Sequence, residues 1–147
     1  MAFISEKEMV EAIKESKYIK ELTANSSSII KEEVKGFFGI PDIVVVKNDT
    51  EKQISYAYEA KLKNWKRAIV QAFRYKAFTN ISYVILDHDH VSPALLQRER
   101  FVKSNIGLMS IDDSGEVYYH YRPYYEPPYS PQTALKFNEM ASNEFAS

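Results

Sequence analysis

The sequence predicts a single mixed α/β domain, and three observations carry that reading. Stretches whose apolar residues recur at helical spacing alternate with short runs rich in β-branched and aromatic residues, in the order α, β, β, β, α, β, α, β, β. No segment repeats another. The 147 residues, 45% apolar and 27% charged, suffice for one ordinary globular core and leave little for a second.

The first helix is expected from Ser5 to about Leu22. Ser5 followed by Glu8 matches a capping box, and Met9, Val10 and Ile13 form an apolar stripe. Asn25-Ser26-Ser27-Ser28 breaks that pattern, and Ile29 to Phe38 suits a strand polar enough for an edge or a cleft. Gly39-Ile40-Pro41 punctuates the chain before a β-branched strand from Asp42 to Lys47, and Asn48-Asp49-Thr50-Glu51 has the composition of a turn. From Gln53 to Lys61 the residues alternate. Ile54, Tyr56, Tyr58 and Ala60 fall on one face of a strand, and Ser55, Ala57, Glu59 and Lys61 on the other.

Asn64 is placed to cap a second long helix reaching about Thr79, with Trp65, Ala68, Ile69, Ala72, Phe73 and Phe78 at helical spacing. Ile81 to Leu86 is a compact apolar strand. Ser92-Pro93 reads as an N-cap followed by proline at the first helical position, opening a third helix to about Lys103. Gly107 to Ile111 and Glu116 to Tyr121 form a hairpin around Asp112-Asp113-Ser114-Gly115. Six of the 11 tyrosines lie between Tyr118 and Tyr129, beside four of the six prolines. Basic residues are nearly absent there, so this segment reads as an extended wrap over the domain rather than a platform for stacking bases. A last helix is expected from Pro131 to about Met140, capped by Ser130. The division is a domain over residues 1–122 and a Tyr/Pro-rich extension over residues 123–147 packed on it.

Several function classes fall away at once. Without cysteine there is no disulfide, thiolate nucleophile, Cys-ligated zinc or iron–sulfur cluster. A net charge of −1 gives no global basic field. No apolar run approaches the roughly 18 residues of a membrane helix. The N-terminus turns acidic too early for a signal peptide, so the expectation is a cytoplasmic protein with no membrane partner.

The chemistry concentrates at one hairpin. Folding the second and third strands about Thr50 and Glu51 places Asp42 opposite Glu59, and directly opposed residues project to the same side about 5 Å apart. Lys61, two residues beyond Glu59, shares that side. Two carboxylates this close repel unless a cation lies between them. Mg²⁺ suits such a site because it takes one or two carboxylates and keeps waters and phosphate oxygens as its other ligands. A lysine alongside can orient water or stabilise charge developing on phosphate.

Pro41-Asp42 followed by Glu59-Ala60-Lys61 resembles the PD-(D/E)xK nuclease superfamily, over roughly Ser5 to Leu86. The resemblance implies a restriction-endonuclease-like fold, a mixed β-sheet with an α-βββ-α-β core flanked by helices. It also implies a Mg²⁺- or Mn²⁺-dependent DNA nuclease. Asp42 and Glu59, helped by the Ala60 carbonyl, would hold the metal, and Lys61 would orient the attacking water. The family's glutamate on the first helix falls on Glu6, favoured over Glu8. Gln71-Ala72-Phe73-Arg74-Tyr75 is similar to the Gln-x-x-x-Tyr helix motif of RecB-type nucleases, which implies that Gln71 and Tyr75 position the site or the DNA. The iron–sulfur members are excluded by the absent cysteines.

Charge points to the same place. Between Ala60 and Leu86 there is no acidic residue, whereas Lys61, Lys63, Lys66, Arg67, Arg74 and Lys76 are basic, and such a run beside the site suits a phosphate backbone. Arg98, Arg100 and Lys103 extend it, diluted by Glu99. Specificity in so short a chain is expected from DNA structure, from a homodimer or from partner protein subunits. A non-catalytic interaction or DNA-binding module on the same fold, and RNA cleavage by the same site, remain the alternatives. Asp87-His88-Asp89-His90 reads as a polar turn, Glu32 and Glu33 as solvent-facing or lysine-paired, His120 as structural and Trp65 as core.

Overall fold

The structure, a computed structural model, describes residues 2–24, 27–33, 39–48 and 52–146, with backbone alone after residue 139. Six strands form one mixed sheet in sequence order: β1 (Ser27–Glu32), β2 (Ile43–Asn48), β3 (Gln53–Lys61), β4 (Ile81–Asp87), β5 (Gly107–Ile111) and β6 (Val117–Tyr121). The first three strands make an antiparallel meander, β3, β4 and β5 are mutually parallel, and β6 returns antiparallel to β5. Each parallel step needs a crossover. Helix α3 (Trp65–Tyr75) makes the first, and α4 (Ser92–Leu95) with α5 (Arg98–Ser104) makes the second.

Sequence alternation sorts the two faces. Ile43, Val45, Tyr58, Ala60, Tyr83, Ile85, Met109 and Ile111 pack under α1 (Glu6–Glu15) and α2 (Lys17–Thr23), which contribute Met9, Ile13 and Ile19. On the opposite face Val84, Leu86 and Leu108 meet α3, α4 and α5 through Trp65, Ala68, Ala72, Ala94 and Phe101. Val44, Val46 and Ala57 meet Phe78 and Phe137, the latter from α6 (Pro131–Ala146). The result is a helix–sheet–helix sandwich whose central strands are covered on both sides, which is why β4 is buried from Ser82 to Asp87. Gly107 lies beside Tyr83 on β4, and a Cβ there would fall 2.1 Å from the tyrosine ring.

Four helices differ from the sequence expectation, the last of them, α6, running to Ala146 instead of ending near Met140. The first divides at Ser16, whose extended backbone ends α1 while its Oγ accepts from the Ile19 N–H at 3.3 Å and caps α2. Helix α3 stops at Tyr75, after which tight turns lead to Thr79. The third helix breaks into α4 and α5, and its N-cap is Val91 with no side-chain bond, so Ser92 occupies the first helical position. Residues 34–38 of the expected first strand and 49–51 of the expected turn lie outside the described residues. No helix among the described residues is long and apolar enough to cross a membrane.

The chain after β6 is fastened to the domain rather than hanging from it. Asn105 accepts from the Tyr121 hydroxyl and the Tyr124 N–H and donates to the Tyr124 carbonyl and Glu126 Oε1. Lys76 is fully buried and donates to Ser104 O at 3.0 Å and to Glu126 Oε1 at 2.5 Å. Lys76 therefore does not belong to the exposed basic run in which its sequence position places it. Removing one partner of such a pair leaves a charge without compensation. Glu126→Ala is expected to destabilise the fold by about 2 kcal/mol, less than a wholly buried pair because Glu126 keeps some solvent. Chemical denaturation against Tyr124→Ala, expected to cost less, checks this.

Candidate active site

The hairpin pairs Ile43 with Tyr58 and continues in register to Asn48 with Gln53. Asp42 immediately precedes this ladder, and its N–H donates to Tyr58 O at 3.0 Å. Alternation puts Asp42 on the face of Val44 and Val46, and Glu59 and Lys61 on the face of Ala57, which is the same α3-side face. The Ala60 N–H donates to Asp42 Oδ2 at 2.7 Å, so the backbone of β3 itself fixes the aspartate.

Lys61 Nζ stands 3.7 Å from Glu59 Oε2 and 3.9 Å from Glu6 Oε1. Glu6 arrives from the first turn of α1 and accepts from the Leu62 N–H at 3.3 Å. It is delivered by the segment before the helix: the Phe3 N–H donates at 2.7 Å to Oδ2 of the buried Asp87 at the end of β4. The sequence reading places Asp87 in a polar turn and does not foresee this bond to Phe3. An aspartate closing an otherwise apolar strand was the signal available.

Tyr75, at the end of α3, places its hydroxyl 2.5 Å from Glu59 Oε1 and 3.1 Å from Ile40 O. One proton serves two acceptors, so it goes to Glu59 when that group is ionised and is free to turn to Ile40 when it is not. Gly39 makes this approach possible: its φ of +135° suits glycine, and a Cβ there would lie 2.9 Å from the Tyr75 ring. Gln71, one turn earlier on α3, has its Oε1 buried without a hydrogen-bond partner among the described residues. It makes no bond to either carboxylate.

The electrostatics follow from burial. Glu59 is 3% exposed, and its pKa is pushed up to about 7 by burial and by the charge of Asp42, only partly offset by Tyr75 and Lys61. Asp42 is raised as well, chiefly by burial, against the opposing effects of the Ala60 N–H and Lys61. Burial and Glu59 push the Tyr75 hydroxyl up. Two carboxylates that hinder each other's ionisation, with only oxygen donors around them, fit a hard divalent cation. Among the described residues no cluster of three or more His, Cys, Asp or Glu side chains forms a ready-made metal cage.

Two clefts differ in their charge balance. In the first, Glu6, Glu11, Glu32, Glu33 and Asp42 line a cleft of about 500 Å³ with Lys7 and Val10. Lys14 bridges Glu32 at 3.0 Å and Glu11 at 3.5 Å, and Glu33, in the left-handed region at φ 49°, donates its N–H to Asp42 O. In the second, Lys63 and Lys66 line a cleft of about 520 Å³ with Asn64, Trp65, Asp89, His90 and Pro93. Arg67 and Arg74 continue this exposed basic side along α3. Arg98 instead binds His120 O, and Arg100 lies 5.1 Å over the Trp65 ring. Asp87 accepts from the Asp89 N–H and caps a short 3₁₀ turn, the polar turn that the sequence predicts. Beyond it the buried Ser110 Oγ lies 2.7 Å from both His88 Nδ1 and His120 Nε2, a link with no sequence signal.

Because Glu59 binds its proton more tightly in the fold than its ordinary value of 4.5 allows, the folded state holds more protons between pH 4.5 and about 7. Stability of the metal-free protein is expected to fall as pH rises through that window. Glu59→Gln should flatten the fall and raise the melting temperature above that of wild type at pH 8. Thermal melts in chelator across pH 4–8 check both.

No family model matches the chain, and no curated protein matches it.

Proposed function

We propose that this chain is a divalent-metal-dependent nuclease of the PD-(D/E)xK superfamily, on a restriction-endonuclease-like fold, that hydrolyses phosphodiester bonds in DNA. The observation that carries the reading is the meeting of Asp42, Glu59 and Lys61 on one sheet face with Glu6 brought in from α1. The element order across this region, helices then three strands then helix then strand, agrees with the resemblance in the sequence.

Asp42 and Glu59, with the Ala60 carbonyl and Glu6, are the groups that would hold Mg²⁺ or Mn²⁺. When bound, such a cation neutralises phosphate charge and acidifies water. Lys61 would orient the attacking water and balance charge as the phosphate gains it. Tyr75, through its hydrogen bond, would hold Glu59 in one orientation, and Gln71 would face the substrate beside it. Lys63, Lys66, Arg67 and Arg74 would carry the backbone phosphates on the α3 side, because the cleft that holds Glu6 and Asp42 is lined with carboxylates that repel them.

Nicking of supercoiled plasmid and of single-stranded DNA in Mg²⁺ or Mn²⁺ tests the reading. Asp42→Ala and Lys61→Ala should each lower the rate at least about 100-fold. Binding without cleavage on every substrate and metal would instead identify an interaction module, and cleavage confined to RNA would reassign the substrate. Lys63→Glu and Lys66→Glu are expected to weaken DNA binding. Each should lower the slope of log affinity against log salt by about 0.7–0.9 per lost phosphate contact, read by fluorescence anisotropy across a salt series.

A further inference from the structure

Helix α3 carries the candidate site on one side and something different on the other. Phe73, whose spacing assigns it to the apolar face, is 45% exposed, and Val70 is 48% exposed. The two side chains do not stand singly. With Ile69 they form the floor of a groove of about 580 Å³ between α3 and α5, completed by Arg74, Arg100, Lys103 and Ser104. Isolated exposed apolar residues need no explanation, but a contiguous patch rimmed by polar groups marks a binding surface.

The rim has one sign. Arg74 has no carboxylate partner among the described residues. Arg100 is held in place over the Trp65 ring. Lys103 meets Glu99 at 3.3 Å on the exposed side of α5, and no carboxylate lines the groove itself. Three cations around an aliphatic and aromatic floor complement a chain that alternates carboxylates with apolar side chains. Nucleic acid suits the floor poorly: its single aromatic ring already meets Tyr129 at 5.8 Å, the rest is aliphatic, and Ser104 alone offers a neutral polar side chain.

We propose that the α3–α5 groove docks an acidic, amphipathic segment of a partner protein. Two or three of its apolar side chains lie on Ile69, Val70 and Phe73, and its carboxylates meet Arg74, Arg100 and Lys103. Phe73 lies on the opposite side of α3 from Tyr75, and Arg74 is the one groove residue that the nuclease reading also uses, so variants at Phe73 and Lys103 test this assignment separately from that reading.

A display library of random 12-residue peptides, selected on the immobilised full-length chain, tests it. Enriched peptides should be rich in Asp or Glu together with Leu, Ile or Phe. Their affinity, measured by fluorescence anisotropy, should fall at least tenfold in Phe73→Asp and in Lys103→Glu, with melting temperatures unchanged. A selection that yields no binders, or binders without acidic bias or insensitive to both variants, overturns the proposal. So does competition by a dT12 oligonucleotide whose own binding is lost in Phe73→Asp. Concentration-dependent sedimentation abolished by Phe73→Asp would assign the groove to a second copy of the chain and overturn it equally.

Discussion

Two carboxylates at the end of one hairpin would rather not be charged together, and much of the surrounding structure answers that conflict. Asp42 is steadied by the Ala60 N–H of the neighbouring strand, and Glu59 by the Tyr75 hydroxyl from the helix above. Lys61 lies near enough to both glutamates to temper their charge but, at 3.7 and 3.9 Å, too far to neutralise either by close hydrogen bonding. The arrangement keeps a local excess of negative potential that a proton on Glu59 or an additional cation relieves. Carboxylates perturbed in this way cluster at functional sites.

The supports come from distant parts of the chain and converge through the sheet. Gly39 lets its segment lie against the Tyr75 ring and so delivers Asp42, while Asp87 draws in Phe3 and so delivers Glu6. Tyr75 ends α3, and the next residue, Lys76, locks the returning chain through Glu126. Helix α3 is thus crossover, carrier of the tyrosine and anchor of the C-terminal segment in one element. It exposes Lys66 and Arg67, and toward α5 it sets Val70 and Phe73 beside Arg74.

Strand β3 and its register with β2 were legible because a hairpin folded about Thr50 and Glu51 fixes which residues oppose one another, and the ladder from Ile43–Tyr58 to Asn48–Gln53 has that pairing. That register is enough to gather Asp42, Glu59 and Lys61. The reach of Tyr75 to Glu59 was legible only as a helix face, since the contact depends on how α3 docks. Ser16 reads as one more helical residue, although its hydroxyl serves the start of a second helix. Lys76 sits in a basic run, and nothing local reveals that a glutamate 50 residues away takes it into the interior. Phe73 has the right spacing for the core, but the angular position of α3 on the sheet turns it outward.

The buried hydroxyl of Ser110 carries a consequence of its own. It holds a single proton between two imidazole nitrogens, His88 Nδ1 and His120 Nε2. With both rings neutral it donates to one and accepts from the other, so one ring presents a bare nitrogen and its counterpart an N–H. The two histidines therefore keep the same tautomer, both with the ring proton on Nε2 or both with it on Nδ1. If one ring exchanges its tautomer, the hydroxyl rotates and the other must exchange too, which makes proton placement on β6 a readout of proton placement at the end of β4.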